Sequence, residues 1–159
     1  MRKRTKRKHY GLLTDPIRYV LEGVQVTPES ELDKLRMQEL SAIESFRIGQ
    51  ASLADWNAVK AMMNVAETMA RRGIGEEVLS VCMQAQDHLI EAARRFERIG
   101  KMGGSGPALQ VWRDLYEYHD LQRKSVTRSE YERFIQEAIN RERSHAPEVF
   151  DLSRKEKRL

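Results

Sequence analysis

The feature that most constrains this chain is a pair of long helix-periodic stretches joined by Gly73-Ile74-Gly75. The first, over residues 53–73, reads LADWNAVKAMMNVAETMARR before its glycine. Leu53, Trp56, Val59, Met63, Ala66 and Met69 or Ala70 recur every three or four positions, which places them on one stripe of an α-helix. Ser52 stands where a hydroxyl can accept a bond from an orphan backbone N–H, and Asp55 follows near the positive end of the helix dipole. Arg71 and Arg72 then precede Gly73, which is stop chemistry. The second stretch, over 76–100, opens on Glu76 and Glu77 and closes on Arg94, Arg95 and Arg98, with Lys101 just beyond Gly100. Its stripe is Val78, Cys82 (with Val81), Ala85, Leu89, Ala92 and Phe96. So short a link turns the two helices into an antiparallel hairpin.

The flanking sequence adds further helices. Residues 29–49 carry Leu32, Leu35, Leu40 (or Glu39), Ile43 and Phe46 on an inward face. Thr27 or Ser30 caps the start, with Glu29, Glu31 and Asp33 near the dipole's positive end. Residues 107–126 carry Leu109, Trp112, Leu115 or Tyr116, and His119, widened by Val111 and Tyr118, with Pro107 in the first turn. Thr127-Arg-Ser-Glu130 matches a capping box and starts another helix, whose face is Tyr131, Phe134, Ile135, Ala138 and Ile139. Before all of these, Thr14-Asp15-Pro16 opens a short segment with Ile17, Val20, Leu21 and Val24. It reads as a clasp lying across the bundle, with an exposed partner-binding helix as the alternative. The expected fold is therefore all-α: an antiparallel helical bundle of about five helices. Residues 1–28 are a basic arm plus the clasp, 29–145 the bundle, and 146–159 a charged C-terminal tail that frays. Trp56, Met62, Met63 and Trp112 look too bulky for one small core, which points to self-association.

Composition narrows the function classes. The chain has 159 residues, of which 33% are charged and 40% apolar, enough for one modest core. No apolar run reaches the length of a membrane span, and the basic start lacks the apolar segment of a secretory signal, because HYGLLT is cut short by Asp15-Pro16. A single cysteine excludes an internal disulfide and suits a reducing cytoplasm. The net charge of +4 is unevenly spread. Six cations, Arg2, Lys3, Arg4, Lys6, Arg7 and Lys8, fall within residues 2–8 without an acid; the remaining 22 basic residues face 24 acidic ones. Such an arm has nothing apolar to bury and is expected to be disordered when free. Its natural partner is a polyphosphate, above all nucleic acid, bound without sequence preference as each neutralised phosphate releases counterions. The plainer alternative is a solubilising tail. Membrane attachment is not expected, since no acylation signal follows Met1.

Chemistry of other kinds finds no footing. The histidines are His9, His88, His119 and His145, with no CxxC, HExxH or HxxxH. Glu142-x-x-His145 has the spacing used by di-iron bundles, but its second copy and two further glutamates are missing. Neither a metal nor another cofactor is expected. Cys82 sits mid-stripe without a base nearby and reads as a small hydrophobe. The carboxylates read as dipole-matched or as pairs on exposed helix faces. The glycine-rich stretch Lys-Met-Gly-Gly-Ser-Gly-Pro at 101–107 has neither phosphate-cradle spacing nor a preceding strand, so it reads as a flexible link. Arg94, Arg98 and Lys101, with Arg95 alongside, form one basic group, and Arg71 with Arg72 another. They lie about 30 Å apart along the hairpin and do not form one patch. Complementing helix C-termini is the simpler account of both. The hairpin's helices are too long for a helix-turn-helix reader. An enzyme is not expected.

The words ASLADWNAVKAMMNVAETMARRGIGEE and RKRTKRKHY resemble a group of small helical proteins encoded in proteobacterial genomes and in mobile elements such as phages. That resemblance implies a bacterial or phage cytoplasmic setting; it assigns no biochemistry and transfers no functional residues. Two functions follow from the sequence as expectations. One is a non-enzymatic helical module that contacts nucleic acid through its arm and regulates a DNA transaction. The other is an accessory or inhibitor protein that binds a host protein through helix surfaces.

Overall fold

The computed structural model describes residues 29–144. There the periodic stretches become five helices, with no strand among the described residues: α1 Glu29–Arg47, α2 Leu53–Arg71, α3 Val78–Ile99, α4 Gly106–Lys124 and α5 Arg128–Ser144. The expected all-α bundle is the architecture. The basic arm, the 10–28 clasp, His9, His145 and the tail lie outside the described residues.

Local chemistry sets the helix ends. Ser52 and Asp55 form a reciprocal capping box, in which the Ser52 hydroxyl accepts from the Asp55 N–H at 3.2 Å and the Asp55 carboxylate accepts from the Ser52 N–H at 2.7 Å. Thr127 and Glu130 repeat it at α5, at 3.3 and 2.8 Å. Ser105 caps α4, accepting from the Ala108 N–H at 3.3 Å, so Pro107 is the second helical residue. In the hairpin link, Gly73 and Gly75 hold φ of 87° and 68°, a region that side chains with a Cβ avoid. They turn the chain sharply while Ile74 between them packs against the small apolar cluster that includes Val65 and Met69. Glu76 and Glu77 belong to this turn, so α3 begins at Val78, two residues later than the charge pattern predicts.

Helices α1 to α4 form a ring of neighbours, α1 on α2, α2 on α3, α3 on α4 and α4 on α1, and α2 also touches α4 across the middle. The hairpin is antiparallel: Trp56 near the start of α2 donates its indole N–H to the Leu89 carbonyl at 3.0 Å, and Cys82 early in α3 donates to Met63 at 3.8 Å. Trp112 of α4 likewise donates to Ala85 at 3.3 Å and stacks tilted against Phe46 of α1, ring centroids 4.6 Å apart. Each buried indole thus places its polar edge on a helix carbonyl while the ring fills the core. Most of the predicted stripe residues are inside: Val59, Ala66, Ala85, Leu89 and Leu115 are buried and Phe96 is half-buried against them, whereas Tyr118 and Ile139, expected on the inward faces, are exposed at their edges. Trp56, Met62, Met63 and Trp112 are all buried within this single chain, which removes the steric ground for expecting self-association.

Helix α5 packs on α2 and runs antiparallel to it, closing a second, smaller cluster of Val65, Met69, Val126, Tyr131 and Ala138. α2 is therefore covered on most of its circumference. The 101–105 loop corrects one expectation. It is a link in topology, but not a slack one. Met102 is buried and its carbonyl accepts from the Ala51 N–H at 3.2 Å, while the Gly104 N–H donates to the Phe46 carbonyl at 3.1 Å. This fastens the α3–α4 loop to the α1–α2 turn, at the end of the bundle where α1 and α3 finish.

Candidate functional site

Two clusters of charged and polar side chains stand out, one buried and one exposed. The buried one was not legible as such. Where the α1 stripe could take Leu40 or Glu39, the fold takes Glu39 inside and leaves Leu40 42% exposed. The reason is Arg123 on α4, itself buried, whose two terminal nitrogens donate to the Glu39 oxygens at 2.9 and 2.8 Å. Glu39 thus corrects the expectation that every carboxylate lies on an exposed face or at a helix end. Burial pushes its carboxyl up, and the Arg123 guanidinium pulls it back. One turn outward, Arg36 grips Asp120 with bonds of 2.9 and 3.1 Å, and Lys124 lies 3.1 Å from the same carboxylate. Burial pushes the Asp120 carboxyl up, but Arg36, Lys124 and Arg123 together hold it below the usual range.

His119 continues the cluster. The Gln122 amide donates to the Ala66 and Ile74 carbonyls at 3.2 and 2.7 Å, so its oxygen is free to accept from His119 Nδ1 at 3.1 Å. That leaves Nε2 as the acceptor for the Tyr131 hydroxyl at 3.1 Å. The imidazole is fully buried. Burial and then the nearby Arg123 charge push its pKa down to about 3, so it stays neutral. Burial pushes the Tyr131 hydroxyl up to about 12. Each group is committed: both histidine nitrogens are bonded and the carboxylates are occupied. The Arg123 Nε has no hydrogen-bond partner among the described residues, but it is a donor without a lone pair. The cluster clamps α1, α4, α5 and the hairpin link together, and its geometry offers no acid, base or nucleophile to a substrate.

The other candidates are similarly placed. Burial, with Glu67 adding, pushes the Cys82 thiol up to about 12, far from a reactive thiolate. Glu142, half of the suspected di-iron motif, instead takes Lys60 at 2.6 Å. No group of three or more His, Cys, Asp or Glu is positioned to hold a metal ion among the described residues. No helix there is long and apolar enough to cross a membrane.

The exposed cluster emerges from how cations are paired. Arg36, Arg47, Lys60, Arg71, Arg72, Arg123, Lys124, Arg128 and Arg141 each meet a carboxylate at ion-pair distance. The Arg71–Arg72 group is thereby neutralised, by Glu67 at 2.7 Å and Glu137 at 2.8 Å. Arg94, Arg95, Arg98 and Lys101 are exposed and meet no carboxylate at that distance among the described residues. The predicted contact residues Arg2, Lys3, Arg4, Lys6, Arg7 and Lys8 lie outside the described region, so no geometry joins them to this cluster. No protein-family model, curated protein or solved structure matches the chain.

Proposed function

We propose that the protein is a non-enzymatic helical module that contacts nucleic acid electrostatically, chiefly through Arg2, Lys3, Arg4, Lys6, Arg7 and Lys8, in a bacterial or phage cytoplasm and in a regulatory role. The observation that carries this reading is a contrast of charge. Six cations without an acid occupy residues 2–8, whereas many of the bundle's own cations are spent on internal carboxylates. A bundle whose buried carboxylate and buried histidine are both taken up by internal hydrogen bonds favours a scaffold over a catalyst. A chain that presents cations to a polyphosphate gains sequence-independent affinity by releasing counterions.

The test is binding of a duplex DNA of arbitrary sequence across a salt series. The intact chain is expected to bind with an affinity that falls steeply with salt. Deleting residues 2–8 removes most of the affinity and flattens the slope by about 5, near 0.9 per cation lost. Equal binding by the shortened chain would remove the arm from the function. A complex with a host protein that survives nuclease and moderate salt would instead favour the accessory or inhibitor role.

A further inference from the structure

We infer that the C-terminal face of α3, carrying Arg94, Arg95, Arg98 and Lys101, is a second, folded contact for a nucleic-acid phosphate backbone, separate from the arm. The inference rests on the functional reading above and adds to it a site within the bundle.

Four cations within eight residues are the densest positive stretch between 29 and 144. Complementing the helix dipole does not account for them. That effect falls off within the last turn, and of the arginines only Arg98 is in the last turn of α3. Nor do they serve as C-caps: Gly100, at φ 68°, closes the helix with its own N–H on the Phe96 carbonyl at 2.8 Å. Arg94 and Arg98 are spaced i, i+4, a like-charge pair that weakens a helix. Glu91 lies nearby in sequence, but its carboxylate lies 3.5 Å from His88 instead. The other cations without a carboxylate, Lys34, Arg113, Arg133 and Arg143, are scattered over α1, α4 and α5. A fold that pairs nine of its described cations with carboxylates leaves these four side by side without one among the described residues, at a cost in helix stability that an anionic partner would offset.

The support beneath the group is firm. The 101–105 loop is tied by backbone hydrogen bonds to Ala51 and Phe46, so Lys101 is held beside the helix end.

The experiment uses the full chain with Arg94→Gln, Arg98→Gln and Lys101→Gln combined. Its control is Lys34→Gln, Arg113→Gln and Arg133→Gln combined, which removes the same charge from scattered positions. Binding to duplex DNA and to single-stranded RNA is measured by fluorescence anisotropy over a salt series, with thermal melts of each variant. The cluster variant is expected to bind about tenfold or more weakly at low salt, with its salt slope on duplex reduced by about 2 to 3, while the control changes far less. Its melting temperature is expected to hold or rise, since like-charge repulsion is relieved. Equal losses in the two variants would mean that only net charge matters and would overturn the inference. Unchanged binding by the cluster variant, or a clear drop in its melting temperature, would do the same and leave the arm reading standing. If the intact chain binds neither nucleic acid, the functional reading fails first and this inference with it.

Discussion

Glu39 and Arg123 illustrate how much a buried charge depends on its partner. Removing one side of such a pair costs about 3–5 kcal/mol, because the other is left buried and uncompensated, whereas an apolar replacement of both is often neutral. Neighbouring His119 makes a different prediction, because it is held neutral. In the unfolded chain its imidazole takes up a proton near 6.5, and in the fold only near 3. Between those values the unfolded chain binds more protons, so acid favours unfolding. The stability associated with the neutral ring is complete above pH 6.5 and is lost as pH falls toward 3, on the order of 5 kcal/mol in all. Glu39 works in the opposite sense, since burial raises its carboxyl, while Asp120 adds its own loss only below the ordinary carboxylate range. Urea unfolding at about pH 7 and pH 4 should therefore show a marked drop for the native chain and a much smaller one for His119→Gln. Equal drops would show that this ring is not the group that titrates.

At the level of elements, the link between α3 and α4 is the informative case. A Cβ on Gly104 would lie 2.7 Å from Trp112 Cζ3 and 3.2 Å from Leu109 Cδ2, so the loop passes directly over the indole. Gly104→Ala is expected to destabilise the protein by about 1–3 kcal/mol, as overpacking does. Gly106→Ala meets nothing within 4 Å and should be neutral or slightly stabilising. Denaturant midpoints of the two variants decide the matter; similar values would mean that the loop is not pressed on Trp112. The periodic stripes and both capping boxes were legible in the residues because they arise within a few positions of one another. The seating of the glycine loop was not. It depends on Phe46 and Ala51, about fifty residues earlier, and on an indole that only packing brings beneath it.

For the molecule as a whole, α5 stands apart from the ring. Its first turn is anchored by the Thr127 capping box and the Tyr131–His119 hydrogen bond. Its later turns lean on α2 through the ion pairs Arg72–Glu137, Glu67–Arg141 and Lys60–Glu142, with Ala138 between. Partly exposed ion pairs contribute little each and are screened by salt. Amide hydrogen exchange should show the second half of α5 opening at a lower free energy than α2, with the gap widening as salt is raised. Exchange of both helices at one common rate would mean that α5 is part of a single cooperative unit. In that case the division of the apolar core into a main and a satellite cluster has no energetic counterpart.

Read alone, the residues determine five helices, the capping boxes that start α2 and α5, the antiparallel hairpin and the segregation of charge into the arm, because helical period, capping and charge runs are local properties of the chain. Tertiary structure alone decides that Glu39 rather than Leu40 turns inward, that Gln122 and Arg123 extend the α4 stripe into the core, and that Arg71 and Arg72 are neutralised while Arg94 to Lys101 are not. The signal for Arg123 was present in its position four residues after His119. Its meaning was not, since a buried charge is tolerable only opposite its counter-charge, and that lies 84 residues away.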